Sequence, residues 1–321
     1  MRPLKRHGRT TRRTVIVTIA ISLLFAWLLS ATVLANDMRV IIIASQDAGP
    51  YKDLSMGFQQ YLSSRGIPIS FETHSLQGNH AKVAEIFPAI KNKTPSLLLT
   101  IGTLATQAAL KQLPDIPVVA GLVVDPDSLL KGSKATGVGV EIPLNIQFQW
   151  LQRIMPGAGT IGVLYNPKEN RAKVETATKI VHGLGLKLVT REVETPRDLA
   201  DALDGIAKDA DLLWGLSDQV VLSPQTAEPI LLFSLQHRIP VSGLTTSWTK
   251  AGALYSLDRD YSDLGAQCGE LALKILQGSN PGALPPVPPR KVVYSLNLKT
   301  ADHMRLDIPQ PIIEGAQSVF R

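Results

Sequence analysis

The chain has 321 residues, 45% of them apolar and 19% charged, with 33 Lys and Arg against 27 Asp and Glu. Six of the basic residues (Arg2, Lys5, Arg6, Arg9, Arg12 and Arg13) precede the first acidic one, so the rest of the chain balances at 27 against 27 and lacks the basic excess that nucleic-acid binding needs. Cys268 is the single cysteine, which excludes an intramolecular disulfide and leaves stability to a packed core.

The basic N-terminus leads into an uncharged apolar run, Val15 to Leu34, and then into Val33-Leu34-Ala35 ahead of polar Asn36 and Asp37. A basic stretch, an apolar stretch and a small-residue site in that order form a secretory signal, with cleavage expected after Ala35 and delivery to the periplasm. The run is 20 residues long, about the length that spans a bilayer, so an uncleaved inner-membrane anchor is the alternative. Thr11-Arg12-Arg13-Thr14-Val15 also resembles a twin-arginine signal, although the apolar run is very hydrophobic for that route. No cysteine lies near the cleavage point, which excludes lipidation there.

Short apolar runs then alternate with helical stretches. Met38–Ser45 reads as a fully buried strand, Leu54–Arg65 as a helix ended by Gly66, and Ile67–Thr73 as a strand. Ala81–Lys91 is helical despite Pro88. Ser96–Ile101 is a buried strand, Thr103–Gln112 a helix, Ile116–Val124 a buried strand and Thr136–Glu141 a short one. After the helix Ile146–Met155 the pattern restarts, with strand Thr160–Tyr165, helix Arg171–Leu184, strand Lys187–Val193, helix Arg197–Lys208 and strand Ala210–Leu216. Helix Thr226–Arg238, strands Pro240–Leu244 and Ala253–Leu257, and the long helix Tyr261–Leu276 follow. Pro281 to Pro289 holds five prolines and reads as a stiff extended crossing. Lys291–Leu296 is the last expected strand, with helices near Lys299–Met304 and Ile313–Phe320 to finish.

Continuous apolar strands separated by helices imply parallel sheets covered on both faces. Two successive series imply two doubly wound lobes rather than one large sheet: residues 38–142 plus 258–282, and 143–257 plus 288–321. A chain that returns after finishing its second lobe crosses more than once, which is hinge architecture.

Several segments in order carry a family likeness. They are Gly102-Thr103 with Ala105, Val124-Asp125-Pro126, Thr136-Gly137-Val138, Val163-Leu164-Tyr165-Asn166-Pro167, Leu216-Ser217-Asp218, Ile239-Pro240, and Asn297 to Ala301 with Leu306-Asp307-Ile308-Pro309. Together they resemble the ABC-transporter substrate-binding family that includes tryptophan- and tyrosine-binding members. The resemblance implies a type I periplasmic binding-protein fold, with two α/β lobes and three crossovers around a cleft. It also implies an ABC permease of the inner membrane as partner, a monomer, and an amino-acid-like ligand. Val124 departs from the Ser or Thr that family members often carry before Asp-Pro, and the lipid-anchoring cysteine of many members is absent.

Ligands of open parallel sheets sit outside the carboxyl ends of strands. Those ends nominate Ser45, Gln46, Gly102, Thr103 and Asp125 from the first lobe, and Asn166, Asp218, Thr246 and Trp248 from the second. Gly102-Thr103 opens a helix, whose free N–H groups suit a carboxylate, or Thr103 simply caps that helix. Asp218 and Asp125 suit a ligand ammonium, or cap the turns that follow. Trp248, in a Thr-rich loop, suits a ring-stacking wall, whereas Trp214 and Tyr165 read as core. No dinucleotide fingerprint, P-loop or metal-ligand spacing occurs, and Gly215 to Gln219 lacks the last glycine of a nucleophile elbow. No cofactor is implied. The reading is a solute receptor, with a sensor module or a periplasmic enzyme on the same scaffold as alternatives.

Overall fold

The computed structural model describes residues 38–223 and 225–321, so the N-terminal segment read as an export signal lies outside the described residues. Five parallel strands form the first sheet: β1 (Met38–Ala44), β2 (Ile69–Ser75), β3 (Leu97–Ile101), β4 (Val118–Val123) and β5 (Ala135–Gly139), in the order β2-β1-β3-β4-β5. Between them run helices α1 (Gly49–Ser63), α2 (Ala81–Asn92), α3 (Thr103–Gln112) and the single turn α4 (Pro126–Leu129). Alternation along β1 explains why the run is continuously apolar. Val40 and Ile42 enter one core, Ile41 and Ile43 the other, and all four are fully buried.

The second sheet begins with β6 (Thr160–Tyr165), β7 (Lys187–Glu192) and β8 (Leu212–Leu213), ordered β7-β6-β8. A parallel bridge from Leu213 to Val241 joins it to β9 (Ser242–Gly243), β10 (Tyr255–Arg259), β11 (Val292–Asn297) and β12 (Ser318–Phe320). Helices α5 (Leu144–Ile154) and α6 (Pro167–Gly183) pack Phe148, Leu151, Val174 and Val181 on one face. Helices α7 (Leu199–Ile206) and α8 (Ala227–His237) pack Leu203, Ile206, Ile230 and Phe233 on the other. The short helices α9 (Thr246–Ala251), α11 (Leu298–Met304) and α12 (Gln310–Glu314) complete this half.

Helix α10 (Tyr261–Leu276) returns to the first sheet and lies against α1. The approach is close enough to require glycine on both helices. A Cβ on Gly57 would stand 2.0 Å from the Ser262 carbonyl oxygen, and one on Gly265 would stand 2.1 Å from the Leu54 carbonyl oxygen.

The chain passes between the sheets at residues 140–143, again between β10 and α10, and again between Val287 and β11. The proline-rich return pairs first with the edge of β5, where the Gly139 and Val287 N–H groups donate to the Val287 and Gly137 carbonyls, both at 3.0 Å. The second and third crossings are fastened together. Asp260 N–H donates to the Lys291 carbonyl at 3.1 Å, and Lys291 Nζ lies 2.6 Å from Asp260 Oδ2. Arg290 forks onto Asp263 at 2.9 and 3.0 Å and reaches Glu270 at 2.7 Å.

Several expectations need correction. Helices α1 and α6 begin at Gly49 and Pro167, ahead of the expected Leu54 and Arg171, because Pro50 and Pro167 sit in the first helical turn, where a missing N–H costs nothing. The expected strand Ala210–Leu216 pairs only over Leu212–Leu213, and Pro240–Leu244 only over Ser242–Gly243. Strand β10 runs through Arg259, two residues past the expected exchange at 257/258. Strand β11 is antiparallel to β10, so the second sheet is mixed. The expected closing helix Ile313–Phe320 divides into α12 and β12, the latter paired with β11. Trp248 lies in α9, not in a loop.

Candidate functional site

The carboxyl ends of β4 and β5 meet those of β8, β9 and β10 across a cavity of about 420 Å³. Val124, Val140 and Glu141 line it from the first sheet's side, and Trp214, Ser217, Ser242, Tyr255 and Arg259 from the second's. A cavity walled by two sheets joined through a hinge is where an α/β clamp takes a small molecule.

Backbone geometry aims the first wall. Strand β4 carries a register shift between Gly121 and Val123, and Leu122 in the bulge has φ of 56°. Asp125 follows with φ of 82°. Two non-glycine residues in the left-handed region within four positions are costly, and bulges of this kind re-aim side chains next to sites. Here Val124 is turned out between them and stays 62% exposed at the cavity wall.

Side chains fix the second wall. The Trp214 indole N–H donates to Gln147 Oε1 at 3.1 Å, and Gln147 Nε2 donates to the Ile142 carbonyl at 2.7 Å. The ring packs on Phe148 with centroids 4.9 Å apart. Trp214 is therefore locked, tied through α5 to the first crossing. Tyr255, Leu257 and Arg259 occupy alternate positions of β10 and all reach the cavity. Ser256, between them, turns away into a buried ring of hydroxyls with Thr249 and Ser295 at 2.8–2.9 Å. Burial pushes the Tyr255 hydroxyl well above the ordinary tyrosine range, so it stays protonated and can donate.

Two charged groups bridge the walls at the mouth, where Lys173 Nζ on α6 lies 2.9 Å from Glu141 Oε1 after β5. Arg259 is different. Its Nε is buried with no hydrogen-bond partner among the described residues. Asp258 Oδ1 stands 3.5 Å away, beyond hydrogen-bond reach, and that oxygen already accepts from the Arg259 backbone N–H and the Tyr261 hydroxyl.

None of the nine residues nominated from sequence lines this cavity. Ser45, Gln46, Gly102 and Thr103 gather at the ends of β1 and β3. There Ser45 Oγ accepts the Ala105 N–H at 2.9 Å and so caps α3, a role Gly102 cannot fill. Gly102 itself has φ of 90°, and a Cβ there would stand 2.7 Å from Ser45 Oγ, so the position admits only glycine. Asp125 caps α4 through Ser128 and lines a neighbouring cavity of about 390 Å³, which shares Val124, Glu141 and Lys173 with the first. Asn166 and Asp218 do meet, but as structure. Asp218 Oδ2 accepts from the Asn166 N–H at 2.7 Å and the Asn170 amide at 2.9 Å, and Oδ1 from the Val220 and Val221 N–H groups at 2.8 and 2.9 Å. Four bonds occupy the acceptor capacity of a carboxylate, leaving none for a ligand ammonium. Thr246 and Trp248 sit on α9, with Trp248 packed over Gly243. The cavity is lined instead by residues that the sequence reading did not nominate, among them Gln147, Ser242, Tyr255 and Arg259. The one signal for the β10 pair was period-two spacing in Tyr255, Leu257 and Arg259.

The model of the ABC transporter substrate binding protein family matches residues 37–320. The chain belongs to that family. A curated relative, the tyrosine-binding protein of Clostridioides difficile strain R20291, is 25% identical over 245 residues, covering 71% of this chain and 70% of the relative. Among solved structures, the ligand-free, open form of a substrate-binding protein with adhesive properties from Clostridium difficile is 22% identical. It covers 88% of this chain and 99% of its own, with a TM-score of 0.75. An ABC domain in complex with L-Trp from Streptococcus pneumonia is 21% identical, with 88% and 100% coverage and a TM-score of 0.58. The α/β architecture with parallel sheets is that of the type I periplasmic binding proteins. No helix among the described residues is long and apolar enough to cross a membrane.

Proposed function

We propose that this substrate-binding protein closes on an amino acid in the periplasm and hands it to an inner-membrane permease of an ABC importer. The observation that carries the reading is the cavity at the strand ends, whose walls belong to two sheets linked by three chain crossings. A molecule touching both walls favours the closed arrangement by its differential affinity for it. The wall chemistry suits an amino acid with a large apolar side chain. Trp214, Val124, Leu216 and Leu257 offer apolar surface, while Ser217, Ser242 and Gln147 offer hydrogen-bonding groups. The moving bodies in this reading are the two expected lobes with the second exchange moved past β10, residues 38–142 with 260–282 and 143–259 with 288–321. The protein acts as a monomer, exported by its N-terminal segment, and releases its ligand unchanged.

Calorimetric titration with the twenty standard amino acids tests the ligand class, and small-angle scattering with and without the tightest binder tests closure. Binding of an aromatic or large aliphatic amino acid with a fall in radius of gyration is expected. Failure of every amino acid to bind would overturn the ligand class, and binding without compaction would overturn the clamp. Recovery of a chemically altered ligand after incubation would reveal turnover and overturn the receptor reading.

A further inference from the structure

We infer that Arg259 is the receptor for a carboxylate of the ligand in the interlobe cavity. The inference rests on the cavity being the ligand site and deepens that reading by assigning the charged contact.

Three observations converge on this side chain. It lines the cavity, held there by the β10 alternation that sends Ser256 into its buried hydroxyl ring and Tyr255, Leu257 and Arg259 the other way. Its Nε is buried with no hydrogen-bond partner among the described residues, while its side chain as a whole keeps 19% exposure. The carboxylate beside it, Asp258, forms an ion pair with Nε at 3.5 Å but no hydrogen bond to it, its Oδ1 accepting instead from the Arg259 backbone N–H and the Tyr261 hydroxyl. A buried, unpartnered guanidinium donor is expensive, and structures keep such groups where a partner arrives later. The partner that fits is planar and anionic. Guanidinium presents Nε and one Nη as a parallel fork that matches the two oxygens of a carboxylate.

The rest of the cavity agrees with this polarity. The other charged groups on its walls, Lys173 and Glu141, are paired with each other at 2.9 Å. Arg259 has an ion-pair neighbour in Asp258 at 3.5 Å, but among the described residues its Nε–H has no hydrogen-bond acceptor, so it is the wall charge with a donor still open to a ligand. The Tyr261 hydroxyl beside Asp258, pushed up to about 12 chiefly by burial, stays neutral and does not compete as an anion. Arg259 is also the last residue of β10 and directly precedes the second crossing. A carboxylate held there sits at the hinge end of the cleft, leaving the ligand's side chain toward Trp214 and Val124.

The test titrates wild type, Arg259→Gln and Arg259→Lys by calorimetry with L-tyrosine and L-tryptophan, and with tyramine and tryptamine, which lack the carboxylate. Circular dichroism establishes that each variant is folded. Wild type is expected to prefer the amino acid over its amine by roughly 10- to 100-fold. Arg259→Gln is expected to lose about that factor for the amino acid and to discriminate no longer. Arg259→Lys falls between, because lysine keeps the charge without the fork. Equal amino-acid affinities in wild type and Arg259→Gln would overturn the Arg259 assignment and leave the amino-acid reading standing. If neither amino acid binds wild type at millimolar concentration, the same proteins are titrated with lactate and succinate. A carboxylate held by wild type and released by Arg259→Gln keeps the assignment and overturns the amino-acid reading. No binding of either carboxylate overturns both.

Discussion

At the scale of single residues, the nine positions chosen at strand ends lie outside the cavity that the two sheets share. Asp218 follows a strand and carries a charge, so it reads either as a contact for a ligand ammonium or as the cap of the turn that follows. Two of the four hydrogen bonds that consume it come from the turn that follows, at Val220 and Val221, and two from Asn166 and Asn170, about fifty positions earlier. Its substitution should therefore show in stability. Asp218→Ala leaves three backbone N–H groups and an amide without their acceptor, a loss of roughly 3 kcal/mol. That corresponds to a fall in melting temperature of about 6–12 °C. Differential scanning calorimetry measures it, with ligand affinity of the folded fraction expected to stay within about twofold of wild type. A normal melting temperature with lost affinity would restore Asp218 to the site. Arg259 was passed over for the opposite reason. It belongs to no motif, and the feature that singles it out, a buried donor with no acceptor among the described residues, has no counterpart in a linear pattern.

At the scale of elements, legibility followed how local the determining forces are. Thr103–Gln112, Thr160–Tyr165 and Tyr261–Leu276 coincide end for end with the sequence reading, because Gly102 stops one conformation at the first and Asp260 caps the last. The two-residue strands β8 and β9 were overextended, since strand ends are fixed by the partner across the ladder and not by the run's own apolarity. Likewise Ile312, Ile313 and Ala316 have helical spacing, yet pairing with β11 takes Ser318–Phe320 as a strand. The closest helix contact was invisible for a related reason, since Gly57 and Gly265 look like liabilities within helices until α1 and α10 are seen touching. Gly265→Ala adds a methyl group facing backbone atoms 2.1 and 2.7 Å away, which cannot yield as a side chain would. Forced separation of the helices costs about 1–3 kcal/mol and outweighs the roughly 1 kcal/mol gained in helix propensity. Gly183→Ala, at the open end of α6 with nothing within 4 Å, is the control and should be neutral or slightly stabilising in thermal melts. Equal melting temperatures for the two variants would show that the helix pair has slack.

At the scale of the whole molecule, the crossings hold two bodies in a defined relation, and their ion pairs give that relation a pH dependence. Burial alone would raise the Asp260 carboxyl. The hydrogen bonds from Lys291 and from the Asp263 N–H outweigh it and hold the group below its ordinary value of 3.8. A depressed carboxylate stabilises the fold above about pH 4, and that contribution is lost as pH falls through its folded value. Lys291 is 59% exposed, so solvent screening keeps the contribution under about 1 kcal/mol. Asp260→Asn should therefore lower the urea midpoint slightly at pH 7, and the gap to wild type should narrow as pH falls below about 4. A gap that persists in acid would assign the effect to the helix cap instead. The order in which the chain builds its halves has a consequence for synthesis. Helix α10, which covers the first sheet, is made only after the chain has left that sheet and laid down most of the second, roughly 120 residues later. At about 5–20 residues per second, the strands of the first half wait on the order of ten seconds for their cover. Neither half can finish before the chain is nearly complete, because β12 closes the second sheet from the last few positions. A nascent chain of this design stays unfinished, with apolar sheet surface in water, for almost the whole of its translation.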